Sequence, residues 1–333
     1  MGPISCNYYF EIAENLTQLI SEKFSSALSE KTIVYVDSET QYRLGKAFRY
    51  QIKIVPAFVK KPNALQEPAP KPYNTRRKEI PLLDVSPEHV VAEAGPFRVI
   101  LNKYCAVRNQ VLLSSVSPRL QTEVLDASEL SSVYRILSVL PPNHLAFYNC
   151  GADSGASQPH KHMQIVPLEP SVYRDLFPIG IISESGRSHA GLRGWIIVDV
   201  FTALVSSDTK NRPIVMQHPG VPYTHFIVQP TGECTGEHLQ LLFNTLLSAT
   251  KSALASQLEN PPPAPVYNFL MARDWLMMIP RTNASCNGVG VNSLGMLGIL
   301  WLGNNEQLQT WSATGFDEIL AHVGLHSGGG IMV

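Results

Sequence analysis

Apolar positions recur along this chain at two spacings, and the switches between them mark out its elements. Ile12, Leu16, Ile20, Phe24 and Leu28 fall on one side of a helix and predict an amphipathic helix over 10–28. "TIVYV" (32–36) is β-branched and predicts a strand, and "YQIKIVP" (50–56) alternates until Pro56 stops it. "PFRVILNKY" (96–104) and "VLLSS" (111–115) predict paired strands. "TEVLDASELSSVYRILSVL" (122–140) predicts a helix, "HLAFYNC" (144–150) a strand, and 160–167 a further strand. The second half repeats the grammar, with strands at "WIIVDV" (195–200) and "THFIVQ" (224–229) and a long helix over 237–258 that Pro261, Pro262 and Pro263 close. "VYNFLMA", "WLMMIP" and "NSLGMLGILWL" predict strands, and a short helix lies near 315–323. Long helices set among strands joined by short turns imply an α+β fold, a mostly antiparallel sheet with flanking helices. The two halves, 1–180 and 181–333, share this rhythm without an exact repeat, and 333 residues suffice to fold both into one compact unit, a monomer.

Composition narrows the function. Charged residues make up 16% of the chain, below the roughly 25% of ordinary domains, and the net charge is −1. Neither nucleic acid nor an acidic membrane is attracted by such a surface. "KKPNALQEPAPKPYNTRRKEIP" (60–81) is basic and proline-rich and reads as an exposed, extended loop. Cys6, Cys105, Cys150, Cys234 and Cys286 are scattered and odd in number, which implies reduced thiols and a cytoplasmic or nuclear setting. The first fifteen residues do not read as a secretory leader. "VGVNSLGMLGILWLG" is too short and polar for a membrane span and reads as buried strand.

The chemistry concentrates in "GADSGASQPHKHMQI" (151–165). On a strand, His160, His162 and Gln164 share one face, about 6–7 Å apart. The loop before them supplies Gly155, Ala156, Ser157 and Gln158, whose successive N–H groups can form an anion nest. One imidazole can then reach a phosphorus while Gln164 holds a phosphoryl oxygen. An H-x-H pair also fits surface decoration or a metal site. A metal needs a third ligand; Gln164 is a poor one, and His144 and His225 on other strands keep that alternative open. No P-loop, dinucleotide fingerprint, nucleophile elbow or H-E-x-x-H motif is present.

"NCGADSGASQPHKHMQIVPL" resembles the active-site stretch of the histidine triad superfamily, in the H-x-H-x-Q form of its transferase branch. Within that branch the chain is most similar to the diadenosine tetraphosphate phosphorylases (ATP adenylyltransferases) of fungi and related eukaryotes. "KKP" (60–62), "LNKY" (101–104), "FYNCG" (147–151), "WLMMIPR" (275–281) and "NSLGMLG" (292–298) fall in that family's order, so the resemblance runs from about residue 8 to 325. It implies a histidine-triad-like fold and a nucleotidyltransferase that splits diadenosine tetraphosphate with phosphate into ADP and ATP, reversibly. His162 would be the nucleophile that carries the adenylyl group, with His160 and Gln164 beside it. Lys61, Asn102, Lys103, Asn149 and the 155–158 loop would hold phosphate or ribose. Asn292, Ser293, Leu294 and Ile299 would line the second nucleotide site. No tightly bound cofactor is implied, and a divalent cation is expected only with the nucleotide.

Four positions depart from the family's pattern. Gln110 stands near the place of a histidine, Ala272 replaces a threonine, Gly303 replaces a basic residue, and Pro159 replaces an acidic one. Two other readings follow from the same residues. One is a sugar-1-phosphate nucleotidyltransferase of the same superfamily, which usually shows H-P-H-x-Q where this chain has Lys161. The other is a nucleotide-binding protein that has lost turnover.

Overall fold

Runs of five to seven residues with alternating or continuous apolar character cannot satisfy their backbone N–H and C=O groups alone, and in this chain they pair into one large sheet. The computed structural model describes residues 14–45, 49–60, 82–175, 196–198 and 213–327. In chain order the strands are β1 (Thr40–Leu44), β2 (Arg49–Ile54), β3 (Val90–Ala94), β4 (Phe97–Leu101), β5 (Val111–Ser115), β6 (His144–Cys150), β7 (His162–Pro167) and β8 (Ile196–Val198). They continue with β9 (Val215–Gln217), β10 (Phe226–Val228), β11 (Tyr267–Met271), β12 (Leu276–Pro280), β13 (Ser285–Cys286), β14 (Val289–Gly290) and β15 (Ile299–Leu302). The helices that matter here are α1 (Leu16–Ser29), α2 (Ala127–Val139), α3 (Gly236–Gln257) and the single turn α4 (Ser293–Met296).

Ten strands form an antiparallel sheet in the order β3-β4-β5-β7-β6-β11-β12-β10-β9-β8. Every strand left of the β6–β11 junction comes from the first half of the chain and every strand right of it from the second. The order reads the same outward from that junction: β4, β5, α2, β6, β7 on one side answer to β9, β10, α3, β11, β12 on the other. The sheet is thus a topological repeat with an approximate two-fold between its halves. The halves meet by a five-residue register from Tyr267↔Cys150 to Met271↔Ala146.

Alternation sorts side chains to two cores. Met163 and Ile165 of β7, Tyr148 of β6 and Met278 of β12 pack with α1, α2 and α3. Val166, Phe147, Met277 and Ile279 face the opposite side, where β2, β15 and the C-terminal helices cover them. There β1-β2-β15 form a small second sheet, and β15 pairs with β2 in parallel.

Several boundaries differ from the sequence reading. Among the described residues "TIVYV" makes only one bridge, Val34 to Tyr104; Val34 and Val36 are exposed, so β propensity without a second neighbour there yields no strand. "NSLGMLGILWL" is not one strand. Asn292 caps the turn α4, and Gly298 at φ 78° reverses the chain into β15. An apolar run of this length carries no periodicity that separates turn from strand. Helix α2 starts at Ala127 rather than 122, because Asp126 and Glu129 form a reciprocal capping box. Helix α1 starts at Leu16, and residues 10–13 lie outside the described part. A helix over Asn305–Thr314 had no apolar stripe to announce it; only Trp311 is buried. Residues 61–81 of the predicted loop and the boundary near 180 also fall outside the described residues.

Candidate active site

Strand β7 begins at His162, and its approach is stitched to a neighbouring segment. Lys161 N–H donates to the Arg119 carbonyl at 2.9 Å, and Gln121 N–H donates to the Pro159 carbonyl at 2.8 Å. His162 pairs with Ser114 of β5, but on the β6 side, where pairing stops at Phe147↔Gln164, its partner is a side chain rather than a strand. His162 N–H donates to Gln121 Oε1 at 2.8 Å, and Gln121 Nε2 donates to the carbonyls of His162 (3.1 Å) and Asn149 (3.0 Å). A backbone N–H can only donate, so the sense of the Gln121 amide is fixed. This buried glutamine stands in for a strand at the place where β6 ends and β7 begins.

The imidazoles are fixed in the same way. His162 Nδ1 lies 2.8 Å from the His160 carbonyl, and His160 Nε2 lies 2.8 Å from the Ser115 carbonyl. Carbonyls only accept, so each neutral ring carries its hydrogen on the bonded nitrogen. The lone pair of His162 is therefore on Nε2. Burial pushes the His160 imidazole below its ordinary range, which keeps that ring neutral. His160 thus acts on His162 through its backbone oxygen. Behind the strand, buried Lys161 Nζ bonds Glu129 Oε2 and the Val124 carbonyl, both at 2.7 Å. Burial raises the Glu129 carboxyl, and the ammonium beside it pulls the other way.

Four amide side chains singled out by the sequence share one polarity. Asn102 Oδ1 accepts from Tyr104 N–H at 3.1 Å, and Asn292 Oδ1 from Gly295 N–H at 3.0 Å. Asn149 Oδ1 accepts from Ser293 N–H (3.0 Å), Ser293 Oγ (2.7 Å) and Asn268 Nδ2 (2.9 Å). Gln164 Oε1 accepts from Gln110 Nε2 at 2.9 Å. In every case the protein uses the oxygen, and among the described residues none accepts from the NH₂. The site offers hydrogens, as an anionic or hydroxyl-bearing ligand requires.

The glycine loop meets the second half of the chain at van der Waals distance. Gly155 has φ +81°, and a Cβ there would lie 2.4 Å from the Val291 carbonyl, so only glycine fits. Ser154 O accepts from Asn268 Nδ2 at 2.8 Å and from Arg281 at 3.2 Å. Arg281 is 1% exposed and, among the described residues, bonds only neutral oxygens: those of Ser154, Asn268, Asn283 and Val323. Burial lowers it to about 9, which leaves it charged at neutral pH. Such a guanidinium, directly behind the loop and bonded to no carboxylate there, adds positive potential where phosphates would sit.

The remaining sequence candidates divide. Ala156 is buried, and Ser157 and Gln158 are half-buried beside it. Lys103 is exposed, while Lys61 lies outside the described residues. Leu294 is wholly buried in the second core, so it can reach a ligand only through its backbone. Ile299 lines a cavity of about 460 Å³ that Pro167 and Leu168 place at the far end of β7; Gln51, Lys53 and Arg108 share its wall. Gln51, Gln110, Gln121, Asn268 and Arg281 were missed in the sequence as site residues. Two of them carried a signal: Arg281 as the last residue of "WLMMIPR", and Gln110 as a departure near the place of a histidine.

The metal alternative finds no support in the donors. Among the described residues no three His, Cys, Asp or Glu side chains gather as a ligand set. His144 Nδ1 bonds the Pro141 carbonyl, and His225 uses both nitrogens, on the Tyr223 carbonyl and the His218 N–H. Of the departures, Ala272 is a core residue, and a Cβ at Gly303 would press on Val59 at 3.0 Å, so a basic residue there would require Val59 to move.

Residues 9–184 match the Ap4A phosphorylase N-terminal domain, and residues 219–326 match the ATP adenylyltransferase C-terminal domain. The chain belongs to the Ap4A phosphorylase family. It is 25% identical to Protein APA1 of Saccharomyces cerevisiae over 311 residues, 89% of each chain. It is 24% identical to diadenosine 5',5'''-P1,P4-tetraphosphate phosphorylase 2 of the same yeast over 320 residues, 90% of each. The yeast Ap4A phosphorylase Apa2, solved in complex with Ap4A, superposes with a TM-score of 0.72 at 22% identity, covering 95% of this chain and 99% of that one. The shared fold agrees with the α+β, mostly antiparallel architecture expected from the sequence. Among the described residues no helix is long and apolar enough to cross a membrane.

Proposed function

We propose that this chain splits diadenosine tetraphosphate with inorganic phosphate into ADP and ATP, reversibly, through an adenylyl group carried on His162. The reading rests on the hydrogen bond from His162 Nδ1 to the His160 carbonyl in a chain of the Ap4A phosphorylase family, since it leaves the nucleophilic lone pair on Nε2. Nε2 attacks the phosphorus of one adenylyl group; an N–P bond forms as the P–O bond to the departing ATP breaks. An oxygen of inorganic phosphate then attacks the same phosphorus, the N–P bond breaks, and ADP leaves with the imidazole neutral again. The leaving polyphosphate is a weak base and the incoming phosphate is already an anion. Neither step needs a side chain that trades protons, so an amide at 164 suffices.

Gln164, Asn102 and Asn149 direct their amide hydrogens to phosphoryl or ribose oxygens, and the backbone of Gly155, Ala156, Ser157 and Gln158 cradles a phosphate. Lys61 and Lys103 supply charge. Asn292, Ser293, Leu294 and Ile299 belong to the second nucleotide's side. Residues 1–180 carry the transfer motif, and 181–333 complete the sheet and the nucleotide site. The enzyme needs no tightly bound cofactor. A divalent cation enters only on the nucleotide's own phosphates, because the amides at the site offer hydrogens rather than lone pairs. With both halves of the sheet in one chain, the protein works as a monomer on small-molecule nucleotides, in the cytoplasm.

Mixed with diadenosine tetraphosphate in the absence of phosphate, the protein gains the mass of one adenylate. His162→Ala gains none, and its turnover falls by more than about 1,000-fold, as loss of a covalent nucleophile does. An alanine variant that keeps the wild-type rate overturns the assignment.

A further inference from the structure

We propose that Gln110 is a positioning residue that fixes which end of the Gln164 amide meets the substrate. An unrestrained glutamine side chain presents oxygen or NH₂ to a ligand with similar ease, and the two ends have opposite effects on a phosphoryl oxygen. Here the choice is made two hydrogen bonds away. Ala106 N–H donates to Gln110 Oε1 at 3.2 Å, and Gln110 Nε2 donates to Gln164 Oε1 at 2.9 Å. The first donor is a main-chain N–H and has no alternative role. It assigns the Gln110 oxygen, which assigns the Gln110 nitrogen as donor, which assigns the Gln164 oxygen as acceptor. The NH₂ of Gln164 is what remains for the ligand. Gln110 is 1% exposed at the β5 entry, and its carbonyl accepts from Asn102 N–H at 3.2 Å, so the backbone holds both the side chain and the main chain of Gln110. Reversing the relay would bury an unsatisfied N–H against an N–H.

This inference rests on the reading of Gln164 as a phosphoryl contact, and its test separates the two. Gln110→Glu is nearly isosteric and still accepts from Ala106 N–H. Its ionised carboxylate cannot donate, so Gln164 turns over and aims its oxygen at the phosphate. AMP affinity then falls about 10-fold or more while adenosine affinity stays at the wild-type value, and phosphorolysis slows about 100-fold, the scale of losing one preorganised donor. The signature is its pH dependence. Once protonated, the introduced carboxyl accepts with its carbonyl oxygen and donates with its hydroxyl, which restores the wild-type polarity. Burial at this position raises the introduced carboxyl above its ordinary range, so the ratio of variant to wild-type AMP affinity climbs toward one as pH falls from about 8 to about 5.5. Equal losses for adenosine and AMP at every pH, or no loss for either, overturn the relay. Wild-type protein that binds AMP yet shows no phosphate-dependent turnover sinks the proposed function, while the affinity ratio still reads the relay. If the variant does not fold, the Gln164 side-chain NH₂ resonance of ¹⁵N-labelled wild type, identified by its loss in Gln164→Glu, provides the second reading. It moves on AMP addition if it faces the phosphate, and an unmoved resonance overturns the proposal.

Discussion

An imidazole attacks only through a nitrogen that keeps its lone pair, and in this chain main-chain atoms choose which one. His160 contributes its carbonyl to that choice, and Gln121 holds the backbone of His162 on both its N–H and its C=O. Gln121→Ala leaves the His162 N–H and two carbonyls without these partners in a buried place. The expected cost is about 2–3 kcal/mol of stability, read as a lower urea midpoint, together with a loss of turnover larger than the loss of AMP binding. An unchanged midpoint would show that water or a rearranged strand replaces the amide. The histidines and Gln164 were legible in the sequence because a motif places them two apart. Gln121 was not, because it lies 41 residues from the backbone it clamps and nothing in its neighbours marks it.

At the scale of the element, β7 is a strand with different tasks on its two faces. His162 and Gln164 look to one side, and Met163 and Ile165 anchor the other core. The residue between the histidines, Lys161, is buried against Glu129 at 2.7 Å, and Glu129 also meets Arg119 at 3.2 Å. Lys161→Met strands most of that carboxylate's charge and is expected to cost about 3 kcal/mol, the lower end for a broken buried pair because Arg119 remains. Lys161→Met combined with Glu129→Gln recovers most of the loss. Urea midpoints of the single and double variants check this, and a double variant no better than the single would place the cost elsewhere. Lys161 read in the sequence as a departure from a proline-bearing motif; its salt bridge through α2 depends on how the helix packs. Strands β5, β6 and β12 were legible almost to the residue, since each is a bounded apolar run. The "NSLG" turn was not, because its cap is made by a side-chain oxygen that apolar periodicity does not register.

At the scale of the molecule, two half-sheets share one central junction, and only the first carries the histidine motif; β12, the counterpart of β7, reads Leu-Met-Met-Ile-Pro. The second half contributes Asn268, Arg281 and the 292–294 turn to the first half's site, so site and fold are stable together. That stability should depend on pH. Burial holds His144 and His225 at about 4, against 6.5 for an ordinary imidazole. Below 6.5 the unfolded chain takes up protons on these rings that the folded chain refuses until about 4. Stability is therefore intact above about pH 6.5 and falls as the pH drops toward about 4, by about 3 kcal/mol for each ring. Thermal midpoints measured from about pH 7 to about pH 4.5 should fall steadily, and His225→Asn, where it folds, should flatten the slope; a flat wild-type profile would contradict the burial of these rings.

By itself the sequence determined the α+β class, most strands, the two-half rhythm and the strip of His162 and Gln164, because alternation and motif spacing are local properties that survive without coordinates. The tertiary structure alone decided the approximate two-fold of the halves, the tautomer of His162 and the direction in which each amide points. Those depend on which donor lies opposite which acceptor, and many such pairs join residues tens to more than a hundred positions apart, where no local pattern records the match.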